Sequence, residues 1–177
     1  MTDTDKWSER CRTIIFAIMK EVRITVNKAQ VYDEVAKTTS YAGLKAMTNE
    51  DTASYGRMFT TDEDRMMLER FWNETCDMVT DTLKPFLSSV SEVRISHGVE
   101  LARNYEITLQ MGNSYDERLT ESINNSVYSY FVQSITGKWF GFGDKEEVEP
   151  YLKGAAAFLT EALQKLYYKK KPVRTPI

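Results

Sequence analysis

The sequence predicts a mainly α domain of four to five helices, with one β-hairpin at about residues 91–111 packed on them. Three observations carry the prediction. Apolar residues recur at steps of three and four over several long stretches, the spacing of one helical face. One stretch, Tyr105 to Met111, alternates strictly between apolar and polar residues, the period of a half-buried strand. Helix-start chemistry precedes the helical stretches, with acidic or amide side chains where backbone N–H groups lack partners.

In chain order, Trp7, Cys11, Ile14, Ile15 and Ile18 mark an amphipathic helix from about residue 5 to about residue 20. Val22, Ile24 and Val26 then alternate with Arg23 and Thr25, which fits either an extended segment or a helix continuing to Val26. Asn27 is placed to cap a helix carrying Val31, Tyr32 and Val35. That helix is expected to fade near Thr38, Thr39 and Ser40, whose hydroxyls compete for backbone hydrogen bonds. The polar stretch from Thr48 to Thr60, with Gly56 inside it, reads as an exposed loop and the most mobile region.

Thr60 stands three residues before Glu63 in a capping-box arrangement, and Asp62, Glu63 and Asp64 suit the positive end of a helix. Leu68, Phe71, Trp72, Cys76, Val79 and Leu83 form the buried side of that helix, with Met67 and Met78 widening it. Pro85 ends or bends it. Val93 and Ile95 give a short strand to pair with Tyr105–Met111, joined through a loop holding His97. A two-stranded hairpin is marginal alone, so its apolar face is expected to lie on the helices.

Beyond Gly112, Leu119, Ile123, Val127, Tyr130, Phe131 and Ile135 define a helix expected to stop near Gly137. Trp139 to Gly143 reads as an aromatic, glycine-rich turn. Asp144 caps the last helix, whose stripe is Val148, Leu152, Ala155, Phe158, Leu159, Ala162, Leu163 and Leu166. Pro150 sits near its first turn, and Ala155 to Ala157 permit a close helix–helix approach. The domain division is residues 1–168 as a single helical domain and 169–177 as a basic tail, which Pro172 and Pro176 keep from continuing the helix. Phe71, Leu83, Ile123, Phe131, Leu159 and Leu163 are the expected core.

Composition excludes several functional classes. The chain has 177 residues, 42% hydrophobic and 28% charged, a globular composition. With Cys11 and Cys76 as its only cysteines and His97 as its only histidine, it cannot assemble a zinc site from those residue types alone. A serine-type triad would rest on His97, which reads as a loop residue without partners. Asp62, Glu63 and Asp64 lack the glycine turn of an oxygen-ligand cation loop and read as helix-dipole residues. Gly141 and Gly143 follow a helix rather than a strand, the reverse of a phosphate-cradling order. Both cysteines lie on apolar stripes and read as small hydrophobes. No cofactor is expected and no enzyme activity.

The net charge of −3 argues against specific nucleic-acid binding, and no apolar run is long enough to span a membrane. The polar, acidic N-terminus does not resemble a signal peptide, so a cytosolic, reducing setting is expected. What remains is protein–protein contact. The candidate interface is the aromatic turn, Trp139, Phe140 and Phe142, with the basic tail, Lys169, Lys170, Lys171 and Arg174. The turn's aromatics are expected to form an exposed apolar patch.

The segment from Thr60 through Asp62, Glu63 and Asp64 to Phe71 and Trp72 resembles the acidic opening and amphipathic helix of head–tail connector (adaptor) proteins of tailed phages. The later helix, Leu119 to Phe140, followed by a closing helix and a basic tail, is similar in order to theirs. Tyr41, Ala42 and Gly43, and Lys171 to Arg174, also resemble uncharacterised prophage proteins of gut Bacteroidetes. The resemblance implies a small helical subunit of a homo-oligomeric ring, with portal and tail-completion proteins as partners, in the bacterial cytoplasm or the virion. The alternative expectation is a small cytosolic helical interaction or regulatory module built from the same residues.

Overall fold

A computed structural model describes residues 19–47, 62–87, 104–141 and 145–170. Its elements are β1 (Lys20–Val26), α1 (Lys28–Met47), α2 (Asp62–Leu83), β2 (Tyr105–Met111), α3 (Thr120–Phe140) and α4 (Lys145–Tyr167). Short 3-10 turns occupy Lys84–Phe86 and Glu117–Leu119. The architecture is mainly helical with one two-stranded antiparallel sheet packed on the helices. The expected helix from residue 5, the loop at 48–60 and the strand around Val93 and Ile95 lie outside the described residues.

The alternation at residues 22–26 is that of a strand, and β1 is the partner of β2. Val22 faces Leu109, Ile24 faces Ile107 and Val26 faces Tyr105 across the pair. All six side chains are buried, whereas Glu21, Arg23 and Thr25 point to solvent. A slip of one residue would exchange these sets, so burial of one face fixes the register. Leu87 bridges the other edge of β2 at Leu109.

Asn27 caps α1 as expected, its Oδ1 accepting from the Gln30 N–H at 3.0 Å. The helix does not fade at Thr38. Thr38 and Thr39 donate their hydroxyls to the carbonyls of Glu34 and Ala36, at 2.8 and 3.0 Å. The hydroxyls are satisfied without withdrawing backbone groups from the helix, which runs on to Met47. In α2 the expected stripe is buried from Leu68 to Leu83. Met78 is the exception, exposed at the stripe's margin. Pro85 converts the end of α2 into the 3-10 turn.

The centre of the molecule is α3, which touches α1, α2, α4 and β1. It is buried on several sides, so its small residues Ser126, Ser134, Thr136 and Gly137 are enclosed along with Ile123, Phe131 and Ile135. Phe131 packs its ring 4.8 Å from that of Trp72 and 5.3 Å from that of Tyr105, joining α2 and the sheet to α3. Gly137 does not stop the helix, which continues to Phe140. A Cβ at Gly137 would stand 3.2 Å from both Tyr151 Cβ and Leu152 Cδ2, so the glycine is the close-approach point of α3 and α4.

The last helix is buried less deeply than its stripe predicts. Ala155, Ala162 and Leu166 are buried, Phe158, Leu159 and Leu163 are half-buried, and Leu152 is 47% exposed. Leu159 and Leu163 are therefore margin residues of the core, whereas Phe71, Leu83, Ile123 and Phe131 are fully inside it. The start of the basic tail is tied down: Lys169 bridges Tyr115, and the Lys170 N–H donates to Ser114 O at 2.9 Å. No helix among the described residues is long and apolar enough to cross a membrane.

Candidate functional site

Two places in the molecule carry unusual chemistry. The first is a buried ion pair between α1 and α2. Lys28 is the first residue of α1, and its side chain is only 2% exposed. Its ammonium donates to Glu69 Oε2 on α2. It also lies 5.6 and 5.7 Å from the ring centres of Tyr32 and Trp72, within range of cation–π attraction. The Tyr32 hydroxyl donates to the same Glu69 oxygen at 3.4 Å. Burial, reinforced by the Glu69 charge, pushes the Tyr32 phenol far above its usual range, so it stays protonated and a donor. Glu69 Oε1 is buried without a hydrogen-bond partner.

This cluster closes on itself. The ammonium, the carboxylate and the phenol hold one another beneath Trp72, which suits them to fixing the start of α1 on α2 rather than to reacting with a substrate. Lys28 is not among the candidate residues that motif and composition single out. The signal was present, because Lys28 completes the 28, 31, 32, 35 spacing of the buried stripe. Cys76, nearby on α2, is buried at 3% exposure, and burial pushes its thiol up to about 12. It behaves as a small hydrophobe.

The second place is the outer margin of α4. Leu152, Ala156, Leu159, Leu163 and Tyr167 follow one another at steps of three and four along a strip beside the face that α3 covers. Tyr167 stacks edge-on against Phe86, 5.0 Å between ring centres, and closes one end of the strip. At the other end an open groove of about 470 Å³ is lined by Gly141, Val148, Glu149, Leu152, Lys153 and Ala156. Glu149 and Lys153 pair across one helical turn at 2.6 Å, both largely exposed, and form its polar rim.

The expected interface residues divide around this groove. Phe140 is 6% exposed, with its ring 5.3 Å from that of Tyr151. It is part of the α3–α4 contact and not of an exposed patch, because the two helices meet closely enough at Gly137 to enclose it. Trp139 is half-buried against the core. Lys169 and Lys170 are exposed at the far end of α4. Phe142, Lys171 and Arg174, like His97 and Cys11, lie outside the described residues. Among the described residues there is no group of His, Cys, Asp and Glu side chains arranged to hold a metal ion. No protein family, curated protein or solved structure matches this chain.

Proposed function

We propose that this chain is a non-enzymatic assembly subunit that works by protein–protein contact, as the head–tail connectors of tailed phages do. The observation that carries the reading is the uncovered apolar margin of α4, where Leu152 and Ala156 stand exposed beside a groove on a helix otherwise packed against α3. Apolar side chains set in a row next to a concave surface mark contact sites.

On this proposal the partners are further copies of the chain and the portal and tail-completion proteins of a virion, and the chain resides in the bacterial cytoplasm until it enters the particle. The test is co-expression with the products of its neighbouring genes, followed by mass measurement of purified complexes. The expected result is a closed oligomer of this chain joined to a portal-like protein. Neighbours of non-viral type, with the chain held in a binary complex by one of them, would instead identify a cytosolic interaction module.

A further inference from the structure

We infer that the C-terminal end of α4 binds single-stranded nucleic acid without sequence preference, through the exposed rings of Tyr167 and Tyr168 and the cations Arg118, Lys169 and Lys170. The inference is separate from the assembly reading and concerns the opposite end of α4 from the groove. Three observations carry it: a backbone held in place, rings left in solvent, and positive charge without a counter-charge.

The segment that leaves α4 is pinned. The Tyr168 N–H donates to Lys165 O at 3.3 Å and the Lys170 N–H to Ser114 O at 2.9 Å, and Lys169 forms an antiparallel bridge with Tyr115. An extended backbone sends successive side chains to opposite sides, so Tyr168 and Lys170 leave on one side and Lys169 on the other. The electrostatics agree with that placement. Tyr168 lies within electrostatic reach of Arg118, and Lys170 within reach of Asp116, the carboxylate that Arg118 grips. Arg118 donates from Nε and Nη2 to Asp116, at 2.9 and 2.6 Å. That pair holds the guanidinium in one orientation while the Arg118 side chain stays 81% exposed, as planar recognition of a phosphate requires.

The rings are in solvent. Tyr167 is 63% exposed and Tyr168 52%. They start from neighbouring Cα atoms, about 3.8 Å apart. Lysines just beyond the last turn of a helix are explained by its dipole. Two exposed rings beside them are not. Bases stack on such rings whatever their sequence.

The chain as a whole carries a net charge of −3, but this end differs. Asp116 and Glu117 are held in ion pairs with Arg118 and Lys20, at 2.6 and 2.8 Å. Glu121 stands further along, in the first turn of α3. Lys169 and Lys170 have no ion-pair partner among the described residues. A protein partner suits this composition less well. Lysine is depleted at protein–protein interfaces, whereas cations beside exposed rings make the surfaces that track a phosphate backbone.

The test follows the fluorescence anisotropy of a dye-labelled thymidine oligonucleotide of about 20 nucleotides as the full chain is added. Saturable binding is expected, falling about twentyfold from about 50 to about 200 mM salt, as three phosphate contacts predict. Tyr168→Leu should weaken it about tenfold, whereas Tyr168→Phe should leave it unchanged, because stacking needs the ring and not the hydroxyl. The double variant Lys169→Gln, Lys170→Gln should lower the salt slope by about 1.4. In the parent chain, amide NMR shifts on titration should fall at Tyr115, Arg118, Tyr168 and Lys169. No binding at about 100 μM protein in low salt, or shifts confined to other residues, would overturn the inference. So would a Tyr168→Leu chain that binds like the parent, because charge alone would then account for the contact. A polyglutamate peptide that binds more tightly than the oligonucleotide would also overturn it and would identify an acidic protein face as the partner. A chain that assembles with its neighbours but binds no oligonucleotide would refute this inference alone.

Discussion

Removing Glu69 should destabilise this protein far more than removing Lys28. The asymmetry follows from burial. In Glu69→Ala the Lys28 ammonium loses its counter-charge while its side chain remains 2% exposed. Only the faces of Tyr32 and Trp72 are left to offset the charge, and cation–π attraction supplies about 2 kcal/mol at such a desolvated site. An uncompensated buried charge costs about 3–5 kcal/mol. In Lys28→Met the stem's apolar packing is largely kept, and the carboxylate left behind still accepts the Tyr32 hydroxyl on a side chain 15% exposed, against 2% for Lys28. That loss should be about 1–3 kcal/mol. The double variant Lys28→Met, Glu69→Leu removes both charges together and should lie within about 1 kcal/mol of the parent, or above it. Urea unfolding of the four proteins gives the three differences and the coupling between the sites. Equal losses in the two single variants, or a double variant as unstable as their sum, would refute the account of the pair as a mutually dependent buried unit.

Other consequences follow from the packing. Phe131→Ala should cost about 3–5 kcal/mol in the same melts, since its ring joins α2, α3 and the sheet; a loss under 1 kcal/mol would contradict its central place. Gly137→Leu should cost about 1–3 kcal/mol, because Tyr151 Cβ cannot withdraw without moving α4 away from α3. Asp116 caps the 3-10 turn before α3, and its hydrogen bonds from Arg118 hold its carboxyl at about 2, below its unfolded range near 3.9. Its contribution is therefore present above about pH 4 and is lost as pH falls toward 2; Asp116→Asn should flatten that part of the stability–pH curve. In a Cys11→Ser background, the Cys76 thiol should resist a thiol reagent at pH 8 until urea unfolds the chain.

The helices were legible because each buries a stripe whose spacing survives in one dimension. Asn27 announced the start of α1, and Pro85 the end of α2, by chemistry that needs no tertiary context. The pairing of β1 with β2 was not legible. Strand alternation identifies a half-buried strand but not its partner, and local reading favours a partner a short loop away. Val26 meets Tyr105, 79 residues further along the chain. Two other misreadings have one cause, the use of residue type without its neighbours. Thr38 and Thr39 proved compatible with a helix because the preceding turn offered carbonyls. Gly137 serves contact rather than termination because Tyr151 lies against it.

Of the candidate residues, the exposed lysines were legible in the sequence. Lys169 and Lys170 are exposed, as a charge run implies. The groove at the start of α4 was hidden, since Leu152 belongs to the same apolar stripe as Leu166 and only the placement of α3 separates the exposed residue from the buried one. Phe140 failed in the opposite direction: an aromatic in a glycine-rich turn suggests exposure, but the close helix crossing encloses it.

The central claim, that this chain acts through the uncovered margin of α4, is tested most directly by incorporation of a Leu152→Glu, Ala156→Glu variant. Ala156 is exposed, and Leu152 is 47% exposed with its tip beside Gly137, so the variant should lose about 1–2 kcal/mol and remain folded. Co-expressed with its neighbouring proteins and weighed by native mass spectrometry, it should be missing from the oligomer that the parent chain enters. A folded variant that enters the oligomer at the parent's stoichiometry would contradict the claim.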